Sequence, residues 1–169
     1  YSPEHTITLP ELPVEHIRKL VELWVERYQE LSRDEKIKYV FIFENRGEVV
    51  GVTMPHPHGQ IYAYPFLPKK LELEVENAGK YFWEKGRCLF CEMREQEVAF
   101  QKRIIFQNAH FTVFLPFFTE YPYGVYIISN QHRSNISQLN EEERLALAET
   151  LKNTTGMLDS LFGYKFPYM

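Results

Sequence analysis

The chain has 169 residues, of which 44% are apolar, and its 19 Lys and Arg side chains stand against 23 Asp and Glu. This length suits one ordinary domain or two small ones, and the apolar fraction is enough for a buried core. No dense basic run occurs, which argues against a nucleic-acid partner, although a nucleotide ligand needs no basic surface. No segment is apolar enough to cross a bilayer and no signal peptide opens the chain, so we expect no membrane association.

The first half of the chain combines one long helix with short strands. Residues 13–31 carry apolar side chains at helical spacing, which predicts an amphipathic helix. Residues 39–43 are apolar and β-prone, and a turn containing glycine separates them from a predicted strand at residues 48–53. Residues 59–64 are predicted as a further strand.

The second half is predicted to begin with a charged bridging helix at residues 69–86. Strand-like runs follow it at residues 103–106, 111–115 and 125–129. A capping-box-like start at Asn140 predicts a second long helix that ends near Phe162, where Gly163 is a natural stop. Residues 164–166 are predicted to begin another strand, and we therefore expect the natural protein to be longer than this chain.

An internal repeat relates the two halves. His5 precedes Leu12 by the same spacing that separates His132 from Leu139, and each leucine precedes a predicted helix and then an aromatic segment. The matching order of elements favours a duplicated α+β unit over chance similarity. The predicted division is a first half at residues 1–68, a bridging helix at 69–86 and a second half at 87–169.

The most specific motif in the chain is His-Pro-His-Gly-Gln, from His56 to Gln60. In an extended strand, side chains 56, 58 and 60 point to one face, where they can bind phosphate oxygens or a metal ion. A neutral His58 is a competent nucleophile when an acceptor holds its second ring nitrogen, and Gln60 offers donors to a phosphoryl oxygen. Gly59 allows a ligand or backbone to approach closely. The alternative interpretation is a proline-bounded turn with two exposed histidines.

Further motifs accompany this segment: Ser2-Pro3-Glu4-His5, Leu9-Pro10-Glu11-Leu12, Phe43-Glu44-Asn45-Arg46-Gly47 and Phe166-Pro167-Tyr168. Together they resemble the hexose-1-phosphate (galactose-1-phosphate) uridylyltransferase family of the histidine-triad (HIT) superfamily, over nearly the whole chain. The resemblance implies an α+β fold of two tandem HIT-like halves, with antiparallel sheets and packed helices. Gln60 replaces the last histidine of the triad, which marks the transferases of the superfamily rather than its hydrolases.

The resemblance implies a double displacement with His58 as the nucleophile. His58 would attack the α-phosphorus of UDP-glucose, release glucose 1-phosphate and then pass UMP to galactose 1-phosphate, a reaction of galactose metabolism. Gln60 would hold the phosphoryl oxygens. Four more residues match family positions near the nucleotide and its phosphates: Phe43, Asn45, Gly51 and Thr53. Val52 and Met54 depart from the commoner residues there.

Zinc is the cofactor that the resemblance implies. His5 and His56 match two zinc ligands of the family's first half, whose Cys-x-x-Cys partner is expected outside this chain. Cys88, Cys91 and His132 fit an analogous tetrahedral site in the second half, since two cysteines at this spacing supply half of such a site. A redox pair or two buried thiols are the alternatives for the cysteines.

Three weaker expectations complete the sequence prediction. Glu74 stands where some relatives have an iron ligand, but its charged helix favours a solvated carboxylate. His16 is expected at the surface, and His110 is expected in a turn or at the surface rather than as a metal ligand. The resemblance implies a homodimer, and the Cys-x-x-Cys usage without an export signal predicts a cytoplasmic location.

Two rival functions stay open. A phosphorylase that acts on ADP-glucose or on dinucleoside polyphosphates would share the histidine nucleophile and differ in the nucleotide. A zinc-stabilised binding module without catalysis would use His56 and His58 structurally, and it predicts zinc without a covalent adduct.

Overall fold

The computed structural model describes residues 1–54 and 56–169, which form four helices and five strands. The helices are α1 (Val14–Leu31), α2 (Lys69–Lys85), α3 (Leu89–Phe100) and α4 (Glu141–Phe162). The strands are β1 (Tyr39–Glu44), β2 (Gly59–Tyr64), β3 (Ile104–Gln107), β4 (Phe111–Phe114) and β5 (Tyr126–Ser129). Within the described residues, no helix combines the length and the apolar character that a membrane span requires.

The first of two compact units joins Tyr1–Phe66 to Asn135–Met169. Its strands β1 and β2 pair antiparallel, and its long helices α1 and α4 pack against each other. The face of α1 that the helical spacing predicted is the buried one, which confirms the predicted amphipathic helix. The core between the helices consists of Leu9, Leu12, Ile17, Leu20, Val21 and Ala148.

The predicted repeat has a structural counterpart within this unit. A 3-10 turn precedes each long helix, at Leu9–Glu11 before α1 and at Ile136–Gln138 before α4. Leu12 and Leu139 end these turns, and both side chains are buried. The equal spacing in the sequence therefore corresponds to the same local structure, in which a leucine anchors the start of a helix to the core.

Helix α4 begins and ends where its sequence signals predicted. The Asn140 side chain accepts a hydrogen bond from the Glu143 amide at 2.8 Å, and the Glu143 carboxylate accepts one from the Asn140 amide at 2.9 Å. This reciprocal capping box satisfies two backbone donors that a helix start leaves without partners. Gly163 ends the helix in the left-handed conformation, with φ of 72°.

The second compact unit comprises Leu67–Ser134. Its sheet is antiparallel with β4 in the middle, and all four residues of β4 are buried. Helix α2 confirms the predicted helix at residues 69–86 and ends at Gly86, whose φ is 68°. The two compact units are defined by contacts in space, whereas the predicted division runs along the sequence, with a bridge at residues 69–86. That predicted division stays a prediction.

The predicted strand at residues 48–53 is wrong. Glu48–Val50 instead forms a 3-10 turn, in which the Gly51 amide donates to the Glu48 carbonyl at 2.9 Å. Gly47 and Gly51 flank this turn with φ values of 101° and 86°, a region that other residues rarely adopt. The two glycines therefore override the β-preference of the valines between them.

Two further differences lie in the second half of the sequence. Helix α3 was not predicted, because its apolar residues lack a clear helical spacing and the Cys-x-x-Cys motif occupies its first turn. Residues 164–166 form no strand, so this prediction is also wrong. Tyr168 instead makes a single antiparallel bridge to Arg46, with backbone hydrogen bonds of 2.8 and 3.0 Å.

The capping box predicts a measurable loss when its first residue is changed. We expect Asn140→Ala to lower the free energy of unfolding by about 1 kcal/mol, because the Glu143 amide loses its acceptor. Urea denaturation followed by circular dichroism measures the change. Asn153→Ala, at an exposed position inside the same helix, is the control and should be neutral or slightly stabilising. Equal losses in the two variants would contradict the capping role.

Candidate active site

His58 lies directly before β2, and the backbone fixes the orientation of its ring. Its Nδ1 atom lies 2.8 Å from the carbonyl oxygen of His56. Because a carbonyl oxygen only accepts hydrogen bonds, Nδ1 carries the proton and donates it. The lone pair of Nε2 is then free, which is the tautomer that a nucleophilic imidazole requires.

A tyrosine side chain explains the glycine that follows His58. A Cβ atom at Gly59 would lie 2.8 Å from Cζ of Tyr1 and closer still to its hydroxyl oxygen. The Tyr1 nitrogen donates to the Pro57 carbonyl at 3.1 Å, and His16 Nε2 donates to the Tyr1 carbonyl at 2.6 Å. The close approach predicted at Gly59 is thus made by a side chain. His16 is half-buried, so its predicted surface position is wrong.

Gln60 lies on the same sheet face as a row of aromatic rings. It pairs with Phe43 across the two strands, and the Tyr62 hydroxyl donates to its side-chain oxygen at 2.9 Å. This bond turns the amide nitrogen of the planar group to the opposite side, where it can donate to a ligand. Phe43 packs edge-on against Tyr62 and stacks on Phe41, with ring centroids 5.0 and 4.8 Å apart.

The segment between the two strands carries the other predicted contacts to a nucleotide. The side-chain oxygen of Asn45 is buried and has no hydrogen-bond partner among residues 1–54 and 56–169. A buried polar atom without a partner is rare in folded proteins and is consistent with a ligand contact. Gly51 ends the 3-10 turn, and Thr53 is exposed. Contacts of these residues with a nucleotide stay predictions.

Arg46 anchors the residues after β1 to the end of helix α4. Its guanidinium forms a two-point ion pair with Asp159, one contact of which measures 3.0 Å, and its Nε donates to the Phe166 carbonyl at 2.9 Å. The same guanidinium lies 4.6 Å from the ring centroid of Tyr168. Asn45, beside Arg46, is therefore held by contacts from a distant part of the sequence.

Glu44 was not predicted as a functional residue, although it lies within the Phe43-Glu44-Asn45-Arg46-Gly47 motif. Its carboxylate accepts a hydrogen bond from the Tyr168 hydroxyl at 2.7 Å. Burial raises the pKa of Glu44, and the hydrogen bond from the Tyr168 hydroxyl opposes that shift in part. Burial and then the Glu44 charge raise the pKa of both tyrosines, which stay neutral. No sequence signal pointed to this cluster, because its members are far apart along the chain.

His5 and His56 come together as predicted for two ligands of one metal ion. Their Nδ1 atoms lie 3.0 Å apart. Two nitrogen ligands of a tetrahedral zinc ion lie about 3.4 Å apart, so small movements of the rings accommodate the ion. Partial burial and then the nearby His5 lower the pKa of His56, which favours the neutral ring that a metal requires. The geometry fits a shared metal ion.

Cys88, Cys91 and His132 form a second group that can hold a metal ion. Their ligand atoms all lie within 4.8 Å of one another, and Cys91 Sγ lies 3.3 Å from His132 Nδ1. The cysteines are free and half-buried at the start of α3. Burial and then Cys88 raise the pKa of Cys91, and a bound dication would reverse this shift because the ligand is the thiolate.

Glu74 and His110 lie elsewhere in the second compact unit. Glu74, on α2, is half-buried and lines a cavity of about 610 Å³ together with Lys70 and Tyr126. That Glu74 is a solvated carboxylate rather than a metal ligand stays a prediction. His110 is half-buried, and its backbone amide donates to the Asn108 side chain at 2.9 Å, which places it in a turn before β4.

The contact at Gly59 predicts a steric penalty. We expect Gly59→Ala to lower the free energy of unfolding by about 1–3 kcal/mol, because the new Cβ collides with the Tyr1 side chain. In a Tyr1→Phe background the hydroxyl is gone, and the penalty should be smaller. Urea denaturation of the four proteins in this double-mutant cycle measures the coupling. Strictly additive losses would show that Tyr1 is not the obstacle.

Comparison with known proteins identifies the family. Residues 1–68 match the family model of the N-terminal domain of galactose-1-phosphate uridyl transferase, and residues 74–169 match that of its C-terminal domain. The galactose-1-phosphate uridylyltransferase of Thermotoga maritima is 43% identical over 169 residues, which are all of this chain and 52% of that protein. The Haemophilus influenzae enzyme is 33% identical over 99% of this chain and 48% of its own length. The chain thus spans about half the length of these relatives.

Solved structures agree with the sequence comparison. A uridylyltransferase structure superposes with a TM-score of 0.93 and 33% identity, covering 98% of this chain and 52% of the other. An ADP-glucose phosphorylase from Arabidopsis thaliana, with bound ADP-glucose, gives a TM-score of 0.87 and 26% identity, covering 96% of this chain and 51% of the other. These neighbours confirm the predicted α+β, HIT-like fold class. The chain belongs to the galactose-1-phosphate uridyl transferase family.

Proposed function

We propose that this chain supplies the nucleophile of an enzyme that moves UMP from UDP-glucose to galactose 1-phosphate through a uridylyl-His58 intermediate. The observation that carries the proposal is the hydrogen bond from His58 Nδ1 to the His56 carbonyl, which leaves Nε2 free. Family membership supports the choice of reaction, since several relatives carry the name galactose-1-phosphate uridylyltransferase.

In the first step, the Nε2 lone pair of His58 attacks the α-phosphorus of UDP-glucose. A nitrogen–phosphorus bond forms as the bond from the α-phosphorus to the bridging oxygen breaks, and glucose 1-phosphate leaves with that electron pair. Nδ1 keeps its proton, which stays hydrogen-bonded to the His56 carbonyl oxygen, so the uridylylated ring carries a positive charge. In the second step, the phosphate of galactose 1-phosphate attacks the same phosphorus and His58 leaves as a neutral ring.

Gln60 and the segment around Asn45 would bind the group in transfer. The Tyr62 hydroxyl occupies the Gln60 oxygen, so the Gln60 amide nitrogen is the end available to a phosphoryl oxygen. Asn45 brings a buried side-chain oxygen without a partner in the described structure, which a hydroxyl of the ligand could satisfy. Phe43, Gly51 and Thr53 would complete the nucleotide contacts.

Zinc is the metal that we propose for both histidine-containing groups. His5 and His56 would hold one ion, and Cys88, Cys91 and His132 would hold the other, since nitrogen and thiolate ligands suit zinc. A bound zinc ion would fix the His56 backbone, whose carbonyl orients His58. The role is thus structural in both groups. The homodimer and the cytoplasmic location stay predictions.

A second candidate function changes the nucleotide and keeps the mechanism. The similarity to an ADP-glucose phosphorylase favours it as the rival, because that protein shares the fold at a TM-score of 0.87. The sequence match is weaker for this relative, at 26% identity, than for the Thermotoga maritima uridylyltransferase, at 43%. The uridylyl reaction is therefore the first choice.

A covalent adduct is the expected signature of the reaction. The full-length protein, mixed briefly with UDP-glucose and examined by intact-mass spectrometry, should gain the mass of UMP in an acid-labile form. His58→Ala should gain nothing, because it lacks the nucleophile. His110→Ala removes a histidine that lies outside the proposed site and should label as the wild type does.

The same experiment separates the rival functions. An AMP-sized adduct from ADP-glucose, without one from UDP-glucose, would assign the adenylyl reaction. Folded, zinc-loaded protein that gains no adduct from either sugar nucleotide would rule out both reactions and favour the binding module. An adduct that survives in His58→Ala would exclude His58 as the nucleophile.

Removal of the second metal group should be visible in the metal content. We expect Cys88→Ser combined with Cys91→Ser to lose about one zinc ion per chain and to melt at a lower temperature, because the site loses both thiolates. Elemental mass spectrometry and thermal denaturation measure the two effects. His110→Ala is the matched control. A double variant with unchanged zinc content would show that these cysteines bind no zinc.

A further inference from the structure

His16 lies on helix α1, away from the nucleophile strand, and the reaction described above does not use it. We propose that His16 is a positioning residue for His58, because it holds Tyr1 in place behind the segment that carries the nucleophile. The inference rests on the proposed function, since it concerns the rate at which His58 reacts. His16 would touch neither substrate nor the reacting atoms and would act through Tyr1.

Tyr1 contacts the chain on both sides of the nucleophile. Its nitrogen donates to the Pro57 carbonyl at 3.1 Å, and its ring occupies the space where a Cβ atom of Gly59 would lie. The residues directly before and after His58 are therefore both in contact with Tyr1. Because the two contacts bracket His58, a movement of Tyr1 would displace the backbone from which the His58 ring projects.

The Tyr1 ring lies on the face of the strand that is opposite to the proposed substrate face. Gly59 and Gln60 are the first two residues of β2, and successive residues of a strand point to opposite faces. The ring fills the Cβ position of Gly59, so it lies on the opposite face from the Gln60 side chain. Tyr1 therefore supports the strand from behind and leaves the face of Gln60 free for a phosphoryl group.

Helix α1 holds Tyr1 in this position. The Nε2 atom of His16 donates to the Tyr1 carbonyl at 2.6 Å, and the Trp24 ring lies 6.4 Å from the Tyr1 ring, measured between centroids. Ile17, the residue after His16, is completely buried in the core, so the helix is a firm support. The hydrogen bond from His16 thus ties Tyr1 to a part of the fold that does not move easily.

Pro57 makes the support from Tyr1 important. Proline has no backbone N–H, so the backbone of Pro57 can be held by hydrogen bonding only through its carbonyl, which accepts from the Tyr1 nitrogen. Attack on phosphorus requires the Nε2 lone pair of His58 at close range and in line, and a displacement of about 1 Å can cost about a hundredfold in rate. A loosened Tyr1 should therefore slow the reaction without changing the contacts that bind the substrate.

The rate of adduct formation in a single turnover tests the proposal. In the full-length protein, we expect His16→Ala to form the uridylyl-enzyme roughly tenfold more slowly at saturating UDP-glucose, because Tyr1 is held less firmly. The UDP-glucose concentration that gives half the maximal rate should stay within about twofold of the wild-type value, since no substrate contact changes. Rapid-quench mixing followed by intact-mass spectrometry measures both quantities.

His16→Gln separates the hydrogen bond from the bulk of the ring. Its amide nitrogen can donate to the Tyr1 carbonyl, so this variant should recover most of the wild-type rate. If His16 served only to fill space, His16→Gln would be as slow as His16→Ala, and that result would overturn the proposal. A wild-type rate in His16→Ala would overturn it as well.

Lys19→Ala is the matched control, because Lys19 is an exposed residue of the same helix, and it should react at the wild-type rate. If His16→Ala does not fold, His16→Asn replaces it, since its amide is one carbon shorter than that of glutamine. The same loss of rate is expected, and a wild-type rate in His16→Asn would contradict the positioning role. If the wild type and Lys19→Ala form no adduct, the proposed function itself fails and this inference fails with it.

Discussion

The first compact unit depends on one partly buried ion pair between residues that are far apart in the sequence. Arg46 joins the segment after β1 to Asp159 on α4, and the same guanidinium binds the Phe166 carbonyl and lies over Tyr168. A planar guanidinium can make these contacts together, because its five donors have a fixed geometry. Removing either partner would leave a partly buried charge without its counter-ion, so the arrangement strongly specifies how residues 159–168 meet the segment after β1.

Near this ion pair, three side chains of the candidate site are each held in place by a hydrogen bond with a neighbouring residue. The His56 carbonyl fixes the ring of His58, the Tyr62 hydroxyl fixes the amide of Gln60, and Tyr168 fixes Glu44. The site is therefore organised before any ligand arrives. This accords with catalysis by positioning and fixed charge, which phosphoryl-transfer chemistry favours.

The sequence predicted the parts of the fold that local rules determine. Helices α1 and α4 follow from apolar spacing and from the capping signals at Asn140 and Gly163, and strand β2 was predicted with its observed bounds. The cluster of Cys88, Cys91 and His132 was predicted from the resemblance and the internal repeat. The turn at Glu48–Val50 was not predicted, because it depends on backbone angles that no local pattern encodes. The environment of Glu44 was not predicted either, because it depends on contacts with residues far away in the sequence.

The contacts at Glu44 and Arg46 also determine when the site can form during synthesis. They join residues separated by 113 to 124 positions in the chain. A ribosome that has just released the His-Pro-His-Gly-Gln segment has not yet made Asp159 or Tyr168. Long-range contacts of this kind form late and slow folding. The end of β1 therefore lacks these partners in the nascent chain until some of the last residues of this sequence have been made.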